Sequence, residues 1–174
     1  FLADNQARDT VTDAELALDA KGRFTALRVR HLASMGAYIA AAGANIQTMN
    51  FARCFPCAYD IARMSIEVRC VFTNTLPTAP YRGAGRPEAN YAMERLVEEA
   101  ARVSGIDAVV LRRRNLIQAS AMPYKTSIGT VFDSGNFAPI LQDALALSAW
   151  QDFEKRRKAA RREGKLRGLG VSYF

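Results

Sequence analysis

From Thr10 to Leu18 apolar and polar positions alternate, with Ala14, Leu16 and Leu18 on one side and Asp13 and Glu15 on the other, the period of a half-buried strand. Asp19-Ala20-Lys21-Gly22 then supplies a turn whose glycine suits a left-handed position. Arg23 to Leu32 continues as a second strand, Leu27 and Val29 set against Arg28 and Arg30, so the pair reads as a hairpin. His31 shares the parity of Leu27 and Val29, which makes it a partly buried strand residue rather than a catalytic one. The alternation returns from Arg63 to Phe72, with Met64, Ile66, Val68, Cys70 and Phe72 on one face. Between these strands, Met35 to Tyr59 keeps neither period. It reads as a long irregular connection with room for a short helix, and its apolar content favours packing over mobility.

Beyond Thr73 the period changes. Pro87 suits a first helical turn and Glu88 complements the helix dipole. Ala89, Met93, Leu96, Val97, Ala100 and Val103 form one apolar stripe, with Asn90, Glu94, Glu98 and Arg102 largely opposite, and Gly105 stops the helix. Asp107 caps a second, short helix with Arg112, Arg113 and Arg114 in its last turn. After a loop from Ser120 to Gly135, Asn136 opens a third helix, and a fourth runs from Trp150 to about Glu163. Strands first and helices later predict an α+β fold, an antiparallel or mixed sheet packed with helices in two layers. The chain reads as a single unit: 1–72 mainly strands, 73–86 a loop, 87–164 mainly helical, and 165–174, ending GLGVSYF, the start of a further strand.

At 174 residues and 49% hydrophobic content, the sequence supports one substantial core. No apolar run is long enough to span a bilayer. The first residues, FLADNQARDT, carry neither an initiator Met nor a signal pattern, and the sequence is expected to be a piece of a longer polypeptide. The net charge of +7 is unevenly placed: from Ala149 to Arg167 there are eight Lys or Arg against three acids. Such a run is most simply a solvated helix face. The alternative is a non-catalytic basic module for an acidic protein or nucleic acid, but no aromatics are interleaved among the basic residues, so no nucleic-acid binding is expected. Three cysteines, an odd and sparse set, argue for a reducing compartment, with cytoplasm expected. Cys54-Phe-Pro-Cys57 has redox spacing without the strand-then-helix setting such a pair needs, and His31 is the only histidine, so a zinc site is not assembled. The cysteines are read as structural.

The stretch Tyr81-Arg82-Gly83-Ala84-Gly85-Arg86 places two guanidinium groups and small residues just before a helix N-terminus. Arginine offers planar bidentate donors and glycine lets a backbone approach a ligand, the environment of an oxyanion or phosphate. A tight turn with two surface arginines would look the same, since neither a GK[ST] nor a full GxGxxG follows. FTNTLPTAPYRGAGRPEA, then ERLVEEAARVSGIDAVVLRRRNL, then FDSGNF at Phe132 to Phe137 together resemble the molybdenum-binding large subunit of the xanthine dehydrogenase, aldehyde oxidase and carbon monoxide dehydrogenase family. The resemblance extends over nearly the whole chain and makes it a central segment of a larger molybdenum cofactor-binding domain.

That resemblance implies a molybdopterin-molybdenum cofactor reached by Tyr81, Arg82, Gly83, Ala84 and Gly85, with Arg82 at the matching arginine. It implies oxidative hydroxylation of a small molecule with water as oxygen source, a base glutamate beyond Phe174, and no catalytic or metal-ligating residue within this segment, which alone would be inactive. Iron-sulfur clusters and FAD are implied on partner subunits or domains, together with the remainder of the molybdenum subunit. Gly83 stands where copper-containing carbon monoxide dehydrogenases carry a cysteine, and Ala84 where xanthine-oxidising members place a stacking aromatic ring. An arginine that orients purines in those members would fall near Asn50. An aldehyde or an N-heterocycle is therefore the expected substrate, rather than carbon monoxide or a purine.

Overall fold

The computed structural model describes residues 4–174; Phe1 to Ala3, the first residues of the expected strand-rich region, lie outside the described residues. Strands β1 (Thr10–Leu18) and β2 (Phe24–Ser34) form the expected antiparallel hairpin, with Ala14 opposite Val29 and Leu16 opposite Leu27. Asp19 closes its turn by accepting the amides of Lys21 and Arg23 on one carboxylate oxygen, both at 2.8 Å. The third strand, β3 (Met64–Val71), lies parallel to β2 rather than antiparallel, so the sheet is mixed, in the order β1-β2-β3. Parallel pairing requires a crossover, and the segment between the strands provides one. It is more ordered than an irregular connection: α1 (Gly43–Asn45), a π-helical turn (Ile46–Asn50) and α2 (Phe51–Cys54) follow without a break.

The inner face of the sheet is the one the alternation indicated. Leu27, Val29 and His31 are buried, and Ala14, Leu16, Met64, Ile66 and Val68 are half-buried against the core. Cys70 and Phe72 depart from it and are exposed, because the end of β3 runs past the edge of the packed layer.

Helix α3 (Arg86–Ser104) covers this face, its Ala89, Met93 and Val97 completely buried. The stripe turns slightly from the one expected: Ala101 is buried, Val103 is exposed and Glu94 faces inward. The cause is α4 (Ala108–Asn115), which packs across α3 and delivers a cation to Glu94. Asp107 caps α4 as expected, accepting the amides of Val109 and Val110 at 2.9 Å. Within the loop before the third expected helix lies a small antiparallel pair, β4 (Tyr124–Lys125) and β5 (Val131–Phe132). Helices α5 (Phe137–Leu147) and α6 (Phe153–Arg162) follow, the latter preceded by a single 3-10 turn, Trp150–Asp152.

Residues 165–174, expected to start a further strand, make no strand among the described residues. Tyr173 instead docks into the core: its amide donates to Glu94 Oε2 at 3.0 Å and its hydroxyl to the Phe137 carbonyl. Two-layer α+β is thus the architecture, with the helices on the inner face of a mixed sheet.

Candidate functional site

The loop before α3 is set from behind by the π-helical turn. Gly85 is the residue preceding α3, with φ +94°, and a Cβ there would overlap the Ile46 carbonyl oxygen and stand 3.1 Å from the Phe51 amide nitrogen and 3.2 Å from Asn50 Cβ. Backbone lies directly against backbone, which only glycine permits. The π-helical turn lies against the residue where α3 begins, and such turns recur at functional sites.

The loop folds on itself in two successive turns. The Ala84 amide donates to the Tyr81 carbonyl at 2.8 Å and the Arg86 amide to that of Gly83 at 3.0 Å. Both amides are therefore removed from the anion cradle expected from the sequence, and guanidinium groups become its main donors. Gly83, Ala84 and Gly85 all have positive φ, an uncommon run directly after Arg82. A Cβ at Gly83 would come 2.5 Å from Pro87 Cγ, so the position is not shaped for a side chain.

Tyr81 and Arg82 are exposed, Gly83 and Ala84 half-buried and Gly85 buried. The Arg82 guanidinium has no hydrogen-bond or ion-pair partner among the described residues, whereas Arg86 Nη1 reaches only the Gly83 carbonyl, at 3.4 Å. Arg53, at the end of α2, joins Arg86 beside Cys54; both cations oppose the burial that pushes that thiol up. None of Arg53, Arg82 and Arg86 is ion-paired to a carboxylate among the described residues. An anionic, phosphate-bearing pterin fits that chemistry, because free guanidinium forks bind phosphate bidentately. Sequence reasoning found Arg82 and Arg86 but not Arg53, which carries no local signal. Asn50 does lie against the loop, at Gly85.

The other candidate groups are structural. His31 stacks on Phe51 with centroids 3.7 Å apart, and its Nδ1 meets Thr12 Oγ1 at 2.8 Å. Burial lowers its pKa below the usual histidine value, against the opposing influence of Gln47 and Glu88. Cys57 is buried and unpaired, and burial pushes its thiol up to about 12. Cys54 closes α2 instead of opening a helix, the wrong end of the helix dipole for a reactive thiolate. Among the described residues no three His, Cys, Asp or Glu side chains stand together as a metal site, and no helix is long and apolar enough to cross a membrane. On α6 some of the basic charge is already engaged: Arg156 donates to the Ser148 and Ala149 carbonyls, and Arg157 pairs with Glu154.

Comparison with known proteins agrees with this architecture. The chain is similar to the carbon monoxide dehydrogenase large chain of Hydrogenophaga pseudoflava, 33% identical over 97% of this chain and 22% of the relative. It is similar to the 6-hydroxypseudooxynicotine dehydrogenase complex subunit gamma of Paenarthrobacter nicotinovorans, 30% identical over 96% of this chain and 22% of that one. Among solved structures, quinoline 2-oxidoreductase from Pseudomonas putida 86 superposes with a TM-score of 0.88 at 29% identity, over 98% of this chain and 22% of that one. The chain therefore spans about a fifth of the length of these relatives, all of them oxidoreductases. Residues 1–116, including the whole Arg82 loop and the elements that position it, match the molybdopterin cofactor-binding domain, and the chain belongs to that family.

Proposed function

We propose that this chain is one segment of the catalytic subunit of a molybdenum hydroxylase and supplies the Arg82 wall of its cofactor pocket. The observation that carries the reading is a guanidinium without an acidic partner, held on a loop whose backbone is locked against the π-helical turn. Tyr81, Arg82, Gly83, Ala84 and Gly85 form this wall, with Arg82 binding an anionic group of the pterin and the glycines keeping the surface free of side chains. When bound, the molybdenum cofactor supplies the redox centre for hydroxylation with water as oxygen source. Arg82 contributes fixed positive charge and orientation, and no proton transfer is assigned to it, since arginine stays protonated.

The substrate is an N-heterocycle or an aldehyde. Gly83 offers no thiol and no room for one beside Pro87, which argues against carbon monoxide as substrate despite the similarity to its dehydrogenases. Ala84 cannot stack on a purine. The likeness to a quinoline oxidoreductase supports the heterocycle. The base glutamate, the remaining pterin contacts, and the iron-sulfur and FAD centres belong to other parts of the enzyme, so the segment alone is inactive. Three unpaired cysteines support a cytoplasmic setting.

The test is Arg82→Met in the complete subunit, with molybdenum per subunit measured by mass spectrometry. The reading expects severalfold loss of metal with the fold retained; full occupancy would sink it.

A further inference from the structure

Arg8 comes from the segment before β1, 74 residues from Arg82, yet its side chain closes on the cofactor loop at three points. Nη2 donates to the Arg82 carbonyl at 3.0 Å, Nε pairs with Glu88 Oε1 at 2.8 Å, and the guanidinium carbon sits 5.0 Å above the Tyr81 ring. One planar group thus ties together the residue before Arg82, the backbone of Arg82 itself and the first turn of α3. The neighbouring backbone holds Arg8 in place. Gln6 bridges the loop's approach strand: its amide donates to the Pro77 carbonyl at 3.1 Å, its carbonyl accepts the Ala79 amide at 3.0 Å, and Nε2 donates to Thr75 Oγ1 at 3.1 Å. Glu88 is the fixed anchor, its side chain 8% exposed and its Oε2 without a hydrogen-bond partner among the described residues.

We propose that Arg8 is a positioning residue for the molybdenum site, aiming the Arg82 guanidinium by clamping that residue's carbonyl to Glu88. This rests on the reading of Arg82 as a cofactor ligand. Arg8 does not itself touch the cofactor; it acts through the loop backbone. Its planar fork suits the task, because Nε and Nη2 serve two acceptors on different elements at once, which an ammonium group cannot reproduce with fixed geometry. Outer contacts of this kind typically hold a tenfold or greater share of the affinity for a bound metal group.

The bland alternative is that Arg8 only neutralises the buried carboxylate of Glu88. Two variants of the complete enzyme separate the readings: Arg8→Gln, and the double variant Arg8→Gln with Glu88→Gln, which leaves no unpaired buried charge. Three quantities are read: molybdenum content, the Mo(V) electron paramagnetic resonance spectrum of the metal retained, and the rate of tryptic cleavage after Arg82. The clamp predicts that both variants lose roughly tenfold of the molybdenum retained after gel filtration, shift the Mo(V) spectrum and speed the cleavage. Recovery of wild-type values in the double variant overturns it, because charge balance would then suffice. Arg82→Met is the companion control. If that change leaves molybdenum untouched, the cofactor reading fails, while the clamp on the loop is still judged by cleavage, which needs no cofactor.

Discussion

Arg112 Nη2 stands 2.9 Å from Glu94 Oε2 where α4 crosses α3, the arginine fully buried and the glutamate 6% exposed. Around this pair the core's polar groups converge. Arg112 Nε donates to Glu94 Oε2 at 3.0 Å and Nη2 also meets Glu98 Oε1 at 2.8 Å. Tyr59 donates its hydroxyl to Glu94 Oε1 at 2.5 Å, and the Tyr173 amide donates to Oε2. Burial and the adjacent Glu94 push the Tyr59 hydroxyl far above the usual tyrosine range, so it stays a donor at any physiological pH. One carboxylate therefore joins α3, α4, the end of the β2–β3 crossover and the C-terminal segment.

Breaking this junction from the cationic side should be severe. Arg112→Ala leaves Glu94 charged, buried and served only by neutral donors, and removal of one partner of a buried pair costs about 3–5 kcal/mol. Tyr59→Phe removes one hydrogen bond to a charged acceptor and should cost about 1.5–3 kcal/mol. Urea unfolding of the chain measures both. Equal, small effects would mean that the carboxylate is compensated by its neutral donors alone.

Acid should weaken the fold before its carboxylates titrate. Burial lowers the His31 pKa from 6.5, so below that value the unfolded chain binds a proton that the folded chain resists. Stability then rises with pH through the window beneath 6.5 and is lost as pH falls through it. Asp19 and Glu99, held below their ordinary values by the Arg23 backbone amide and the Arg102 side chain respectively, titrate lower still. Thermal unfolding between pH 7 and 5 should show a falling midpoint, and His31→Phe, which can keep the stack on Phe51, should flatten that slope. A slope unchanged by the substitution would assign the dependence elsewhere.

What the sequence made legible follows from which forces are local. Strands β1 to β3 declared themselves because each buries a single face, and α3 did so through Pro87, Glu88 and Gly105 at its ends. The direction of β3 was not legible: alternation gives a face, and only the length and path of the crossover decide parallel from antiparallel. By sequence, Arg112 belongs with Arg113 and Arg114 to a cationic last turn. Its burial depends on α4 lying across Glu94, a tertiary fact without a periodic trace. At the site, Arg82 stands out within a short motif, whereas Arg8 reaches the loop from a distant segment. Tyr173 shows the same limit in the tail, where VSYF has a strand's composition but no neighbouring strand to pair with among the described residues.

The cysteines should separate cleanly by reactivity. Cys70 is exposed at the end of β3, whereas Cys57 lies in the core with Asn90 Nδ2 3.7 Å from its sulfur. With its thiol pushed up to about 12, Cys57 is thiolate in roughly one molecule in ten thousand at pH 8. A disulfide reagent at that pH should label Cys70 first and Cys57 only after denaturation, as peptide mass spectrometry would report. Rapid labelling of Cys57 in the folded chain would contradict the structural reading of the Cys54–Cys57 pair.

Gly85 offers the sharpest check on the loop because Gly105, at the other end of the same helix, serves as its control. Both have positive φ, +94° and +70°, so replacing either with alanine incurs backbone strain of about 1 kcal/mol. At Gly105 the new methyl would meet nothing within 4 Å, and the effect should stop there. At Gly85 it would strike the Ile46 carbonyl of the π-helical turn and crowd the Phe51 amide at the start of α2, backbone atoms that cannot swing aside as a side chain would. Gly85→Ala should therefore destabilise the chain by clearly more than Gly105→Ala in urea unfolding. It should also accelerate tryptic cleavage after Arg82, since relief of the overlap requires the loop to lift from its support. Equal destabilisation, with unchanged cleavage, would mean that the loop is held by its own turns and by Arg8, and that the π-helical turn merely lies beside it.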